Sequence, residues 1–272
     1  MIGALNMMQR ELCHLWGPFS IYSYGVAMAL AVGVFTWACL KHPWRKKLIS
    51  EDQFIQVVML SLVIGLAGAR ILFLINSYDQ LESAAEIFTL WNGGLSIMGS
   101  IIAIVLILPW YLRKINVPIL PLLDLAALNA PLIHVIARLG CFMAGCCYGK
   151  PSNLPWSITY TDPLSHAPQN ISLHPTQLYA SILMLFIFAF FYFYLQKKVK
   201  APGQMLMAYL MAEGAVRFSM DYLRDDIEYF PWDSYHIISS NQILALGMFV
   251  TSLVGSLVIH YTYIHNKQKN TA

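Results

Sequence analysis

Phe54 to Ile75 reads FIQVVMLSLVIGLAGARILFLI, an apolar run whose one charge is Arg70. A run of that length is a candidate membrane-spanning helix. Lipid offers the backbone no hydrogen-bond partners, so such a segment must close its own helical ladder. Working outward, six more stretches have the same character, at about 20–40, 94–112, 119–142, 177–195, 204–223 and 242–264. The 272-residue chain is 58% hydrophobic and 11% charged, where a soluble domain is about a quarter charged. The expected architecture is all-α: a polytopic integral membrane protein of about seven transmembrane helices, forming a single domain over 1–272. No repeat or low-complexity linker interrupts it. Met1–Ser20 shows no cleavable signal peptide, so the first helix is expected to act as an uncleaved anchor.

Orientation follows from the basic residues. Lys41, Arg45, Lys46 and Lys47 follow the first span, and Arg113 and Lys114 the third. Lys197, Lys198 and Lys200 follow the fifth, and Lys267 and Lys269 lie in the tail. These are eleven of the 17 basic residues, all on one side. Arg10, Lys150 and Arg224 fall on the other. The N-terminus is therefore expected outside and the C-terminus in the cytoplasm. The net charge of +3 reflects this orientation, and nothing points to nucleic acid.

The remaining three basic residues are Arg70, Arg138 and Arg217, each inside a span. A charge at the centre of a spanning helix costs about 2.5–3.5 kcal/mol on insertion scales. All three fall in the outer halves of spans running from inside to outside. Tyr22 and Tyr24, the segment Trp91-Asn92-Gly93-Gly94-Leu95-Ser96, and a loop with His166 and His174 fall at the same depth. Glu213, Arg217 and Asp221 are spaced four apart, as are His134 and Arg138, so each set shares a helical face. One explanation is ion-pair glue inside the bundle, or snorkelling of Arg70 to the interface. Convergence at headgroup depth favours a site for an anion, and the anion abundant there is a lipid phosphate.

Three of the five cysteines cluster in Arg138-Leu139-Gly140-Cys141-Phe142-Met143-Ala144-Gly145-Cys146-Cys147-Tyr148-Gly149. Three readings stay open: small-residue packing at a helix end, a disulfide from Cys141 to Cys146 or Cys147, or a metal or redox site with His174. The spacing matches no standard zinc pattern.

Six segments, in order along the chain, resemble the bacterial prolipoprotein diacylglyceryl transferases. They are Tyr24-Gly25, Gly68-Ala69-Arg70, Asn92-Gly93-Gly94-Leu95-Ser96, Arg138-Leu139-Gly140 with Phe142, Gly145 and Gly149, His174-Pro175-Thr176-Gln177-Leu178-Tyr179, and Arg217-Phe218 with Asp221 and Arg224. The family's N-out, C-in topology agrees with the count of basic residues. There are departures. Met98 stands where the family usually has histidine, Cys141 and Ala144 where it has asparagine, and Cys146 and Asp221 where it has glutamate. The chain resembles a cysteine-containing branch or paralogue.

The resemblance implies transfer of diacylglycerol from phosphatidylglycerol to the cysteine thiol of a prolipoprotein, at the outer leaflet of a bacterial plasma membrane. The thiol must become a thiolate, and the leaving phosphate needs a positioned cationic clamp. Arg138 and Arg217 are expected to hold the phosphate, with Arg70 and Arg224 secondary and Tyr24 on the headgroup. Gly93, Gly94, Ser96 and Gln177 are further headgroup candidates. Imidazole titrates near neutral pH and suits a base; His174 is the expected one, beside Asp221, with His134 an outsider. This scheme needs no cofactor and no metal. Two alternatives are the same lipid donor with a different acceptor, and a lipid carrier with no chemistry.

Overall fold

The computed structural model describes residues 10–16, 19–77, 94–226 and 238–269. Trp91, Asn92 and Gly93 lie outside the described residues. Among the described residues, eight α-helices carry the fold: α1 (Ser23–Lys41), α2 (Pro43–Leu48), α3 (Glu51–Asn76), α4 (Ile97–Lys114), α5 (Ile119–Ala144), α6 (Thr176–Phe193), α7 (Gln204–Asp221) and α8 (Ser240–Lys269). The fold is mostly helical, as expected. Two small strand pairs are present, β1 (Glu11–Trp16) with β2 (Phe19–Tyr22), and β3 (Ile158–Thr159) with β4 (Ser172–Leu173). They are too short for an alternating pattern to stand out beside long apolar runs.

Among the described helices, six are long and apolar enough to cross a membrane: α1, α3, α4, α5, α6 and α8. The remaining expected span is α7, which carries Glu213, Arg217 and Asp221. The molecule is a polytopic membrane protein, and its exterior fits that solvent. Trp37, Ile75, Val105, Leu106 and Phe186 are each more than 60% exposed.

The chain divides into two compact units. In the unit that contains α3 and α4, the helix α3 begins with a reciprocal cap. The Ser50 hydroxyl accepts from the Gln53 amide, and the Gln53 side chain accepts from the Ser50 amide. Further along, α3 and α4 cross backbone to backbone. A Cβ on Gly99 would lie 2.2 Å from the Gly68 carbonyl oxygen, and one on Gly68 would lie 2.5 Å from that of Gly99. The Ser100 hydroxyl donates to the Gly65 carbonyl across the same seam at 2.8 Å. In lipid, where apolar surface gives helices no reason to associate, such close packing holds them together. Gly99→Val should therefore lower stability by about 1–3 kcal/mol, the usual cost of overpacking. A thermal melt in detergent checks this.

The other unit holds β3, β4, α6, α7, α8 and most of α1 and α5. There α7 and α8 lie antiparallel. Gly214 abuts the Ala245 carbonyl and Gly255 abuts Met207. A small buried cluster of Tyr160, Ala167 and Leu173, flanked by Phe142 and Tyr148, anchors the loop between α5 and α6.

Candidate active site

The site begins with one buried carboxylate. Asp124, near the start of α5, accepts the Gly203 amide at 2.6 Å and the Leu206 amide at 2.9 Å. Gly203 caps α7 with φ +94, a conformation open to glycine. Asp124 thus satisfies two of the donors that every helix start leaves unpaired. It also fixes the level of α7 against α5. Ten residues separate Asp124 from His134, and ten separate Gly203 from Glu213, a rise of about 15 Å on each helix. The two side chains meet: His134 Nδ1 stands 3.0 Å from Glu213 Oε2. The angle falls short of a hydrogen bond, since Oε2 has no hydrogen-bond partner. The contact is therefore an ion-pair distance that a small rotation would align.

One turn further along each helix come Arg138 and Arg217. Arg217 Nε donates to Glu213 Oε1 at 2.5 Å. Glu213, 5% exposed, thus faces both a histidine and an arginine. Beyond it, Arg224 Nε donates to Asp226 at 2.9 Å, and its Nη1 lies 3.7 Å from Asp221. Asp221 also accepts from the Ser239 hydroxyl. His134, Arg138, Cys147, Glu213, Arg217 and Arg224 line one cleft, with Asp221 at its wall. Arg217 is paired with Glu213, and Arg224 with Asp226 and Asp221. Among the described residues, Arg138 has neither a carboxylate partner nor a hydrogen bond.

The end of α5 carries the cysteines over this cleft. All five cysteines are free thiols. The sulfurs of Cys141, Cys146 and Cys147 lie within 4.8 Å of one another. The loop that presents them is pinned at each step. The Cys146 amide donates to the Cys141 carbonyl at 3.2 Å. The Gln177 side chain donates to the Cys146 carbonyl at 2.8 Å, and the Thr176 hydroxyl to that of Cys147 at 2.7 Å. The Cys147 amide donates to Asp226 at 2.9 Å. Gly145 and Cys147 both have positive φ, +72 and +58. Only the first is a residue that adopts this without cost; a side chain there costs roughly 1–2 kcal/mol. Hydrogen bonds from Cys141 and Cys146, then the Arg224 and Arg138 guanidiniums, hold the Cys147 thiol below its ordinary range despite burial. Hydrogen bonding with Cys141 and Cys147 pushes Cys146 up.

A family model described as prolipoprotein diacylglyceryl transferase matches residues 10–258. The chain belongs to that family. A phosphatidylglycerol–prolipoprotein diacylglyceryl transferase of Clostridium tetani is 31% identical over 253 residues, covering 93% of this chain and 97% of the relative. One from Finegoldia magna is 30% identical over 223 residues, covering 82% of this chain and 86% of the relative. One from Lactobacillus acidophilus is 26% identical over 249 residues, covering 88% and 85%.

Around the cleft of this transferase the other expected residues fall in different roles. Tyr24, on α1, packs against Gly140, where an added Cβ would lie 3.4 Å from its ring. Gln177 is 1% exposed and serves the Cys146 carbonyl and the Tyr160 hydroxyl. His174 does not line the cleft. Its backbone pairs with Gly149 and Lys150, and its ring Nδ1 lies 3.4 Å from the Tyr179 hydroxyl. In the other unit, Arg70 is 8% exposed. It donates to the Gly94 carbonyl at 3.0 Å and lies 5.4 Å from the centre of the Phe73 ring. The Ser96 amide donates to the Ala69 carbonyl at 3.1 Å. Within this unit Arg70 and Gly94 therefore hold a turn. Sequence reasoning set His134 aside and did not pair it with Glu213. The matching ten-residue steps carry no signal until the structure shows Asp124 capping the start of α7.

Proposed function

We propose that the cleft between α5 and α7 transfers diacylglycerol from phosphatidylglycerol to the lipobox cysteine of a prolipoprotein, at the outer leaflet of a bacterial plasma membrane. The frame is a seven-span one with the N-terminus outside. The observation that carries the reading is Arg138. Its guanidinium lines the cleft with no carboxylate partner among the described residues, one helical turn beyond His134 as Arg217 is beyond Glu213. A lipid phosphate supplies the missing anion and accepts from both. Arg224 closes the far side while anchored to Asp226 and Asp221.

The chemistry follows from this arrangement. The acceptor thiol gives its proton to His134, whose ring is steadied by Glu213. The thiolate attacks the diacylglyceryl carbon bonded to the phosphate oxygen. That carbon–oxygen bond breaks, and its electron pair leaves with glycerol phosphate. Charge then grows on the phosphate, where Arg138 and Arg217 are already in place. Preorganised cations in a site shielded from water act most strongly on such developing charge. The relatives' printed names support both the donor and the acceptor class.

The test uses the purified full chain in phosphatidylglycerol nanodiscs with a labelled glyceryl moiety and a lipobox peptide. A thioether-linked diacylglyceryl peptide is expected, with one glycerol phosphate released per product. Release without peptide labelling would assign a different acceptor. Neither product from folded protein would contradict transfer.

A further inference from the structure

The geometry points to a soft-metal site at Cys141, Cys146 and Cys147, which binds a zinc-class cation and leaves its fourth position for the acceptor thiol. Four thiolates around zinc at about 2.3 Å stand about 3.8 Å apart, whereas disulfide sulfurs are bonded at about 2.05 Å. Three sulfurs mutually within 4.8 Å match the first pattern, and a disulfide would leave the third sulfur unused. The loop is also shaped before any ion arrives. Four hydrogen bonds fix the Cys146–Cys147 backbone, and Cys147 is held in the left-handed region at φ +58. Outer-shell restraint of this kind is what orients metal ligands. Three thiolates with one open position is the arrangement of a reactive site rather than a closed structural one. Thiolate sulfur selects soft or borderline cations over magnesium or calcium.

Cys147 lines the same cleft as Arg138, Arg217 and Arg224. Zinc with three thiolates would carry one net negative charge, in a cleft already lined by arginines.

The role of the fourth position rests on the transfer reading above. A thiol that coordinates such a cation loses its proton outright, here to the His134 imidazole. A cation held by Cys141, Cys146 and Cys147 would keep the acceptor sulfur as a thiolate with a lone pair for the diacylglyceryl carbon. As its carbon–sulfur bond forms, the carbon–oxygen bond to phosphate breaks and glycerol phosphate departs with the electron pair. The product thioether is neutral and would be a weak ligand for such a cation. No electron is gained or lost at the metal.

The experiment needs no lipid and no turnover, so it stands apart from the donor assignment. The full chain, purified in detergent under reducing conditions and stripped with chelator, is titrated with cobalt(II) alone and then with zinc(II). About one equivalent of cobalt should bind, with the intense sulfur-to-metal and tetrahedral d–d bands of thiolate ligation, displaced by zinc. Cys146→Ser and Cys147→Ser should weaken binding by tenfold or more, and Cys13→Ser with Cys39→Ser should leave it unchanged. A lipobox peptide should shift the d–d bands, and its Cys→Ser counterpart should not. No uptake by the folded wild type, or undiminished uptake when all three clustered cysteines are serine, overturns the site. A Cys141–Cys146 disulfide in protein isolated from membranes without reductant also overturns it. Unshifted bands with the cysteine peptide overturn the acceptor role.

Discussion

Arg138→Ala should lower the rate of diacylglyceryl transfer by about 10²- to 10³-fold, the cost of removing one preorganised donor from a developing anion. The substitution removes the guanidinium that has no internal partner among the described residues. Its loss therefore leaves no buried carboxylate stranded, and the fold should survive. Arg138→Lys restores a charge but not the two-pronged geometry, so it should recover only part of the loss. Steady-state rates with labelled phosphatidylglycerol, set beside a thermal melt for each variant, separate the two effects. A full rate in Arg138→Ala would remove the reason for the arginine.

The second large effect is expected at His134. His134→Gln should cost about 10²- to 10⁴-fold, the usual range for losing general acid–base catalysis. Glu213→Gln should follow it, because Glu213 steadies both His134 and Arg217. Glu213 is a positioning residue, and its loss should also weaken saturation by phosphatidylglycerol through Arg217. His174→Gln should stay near the wild-type rate, since that ring lies against Tyr179. A profile in which His174→Gln falls hardest, with His134→Gln near normal, would move the base to the α6 approach.

The spans were legible because hydropathy is a property of consecutive residues. The expected span at 204–223 forms the helix α7, which is not among the six described helices apolar enough to cross a membrane. The arginines were legible for the same reason that they are costly: a charge inside an apolar run stands out. The partners across the cleft were not. Glu213 and His134 are 79 residues apart, and their meeting depends on Asp124 locking the start of α7. Hydropathy and motif spacing do not register that lock. His174 is the base expected from the sequence because it sits in a polar loop with a recognisable motif. The backbone of that residue also builds the bridges to Gly149 and Lys150 that hold the cysteine loop. The cysteines were near one another in sequence, but the convergence of their sulfurs depends on the left-handed turn at Cys147, an unusual place for a residue with a side chain. The strands were too short to read.

The central claim is that Arg138 and Arg217 grip the same phosphate. A double-mutant cycle on transfer tests it most directly, using Arg138→Ala, Arg217→Ala and the double variant. Groups acting on one ligand couple by about 0.5–3 kcal/mol, while independent sites add to within about 0.3–0.5 kcal/mol. The account predicts coupling: the double variant should lose clearly less than the product of the two single losses. Single losses that simply multiply, or single variants that keep full activity, would contradict it.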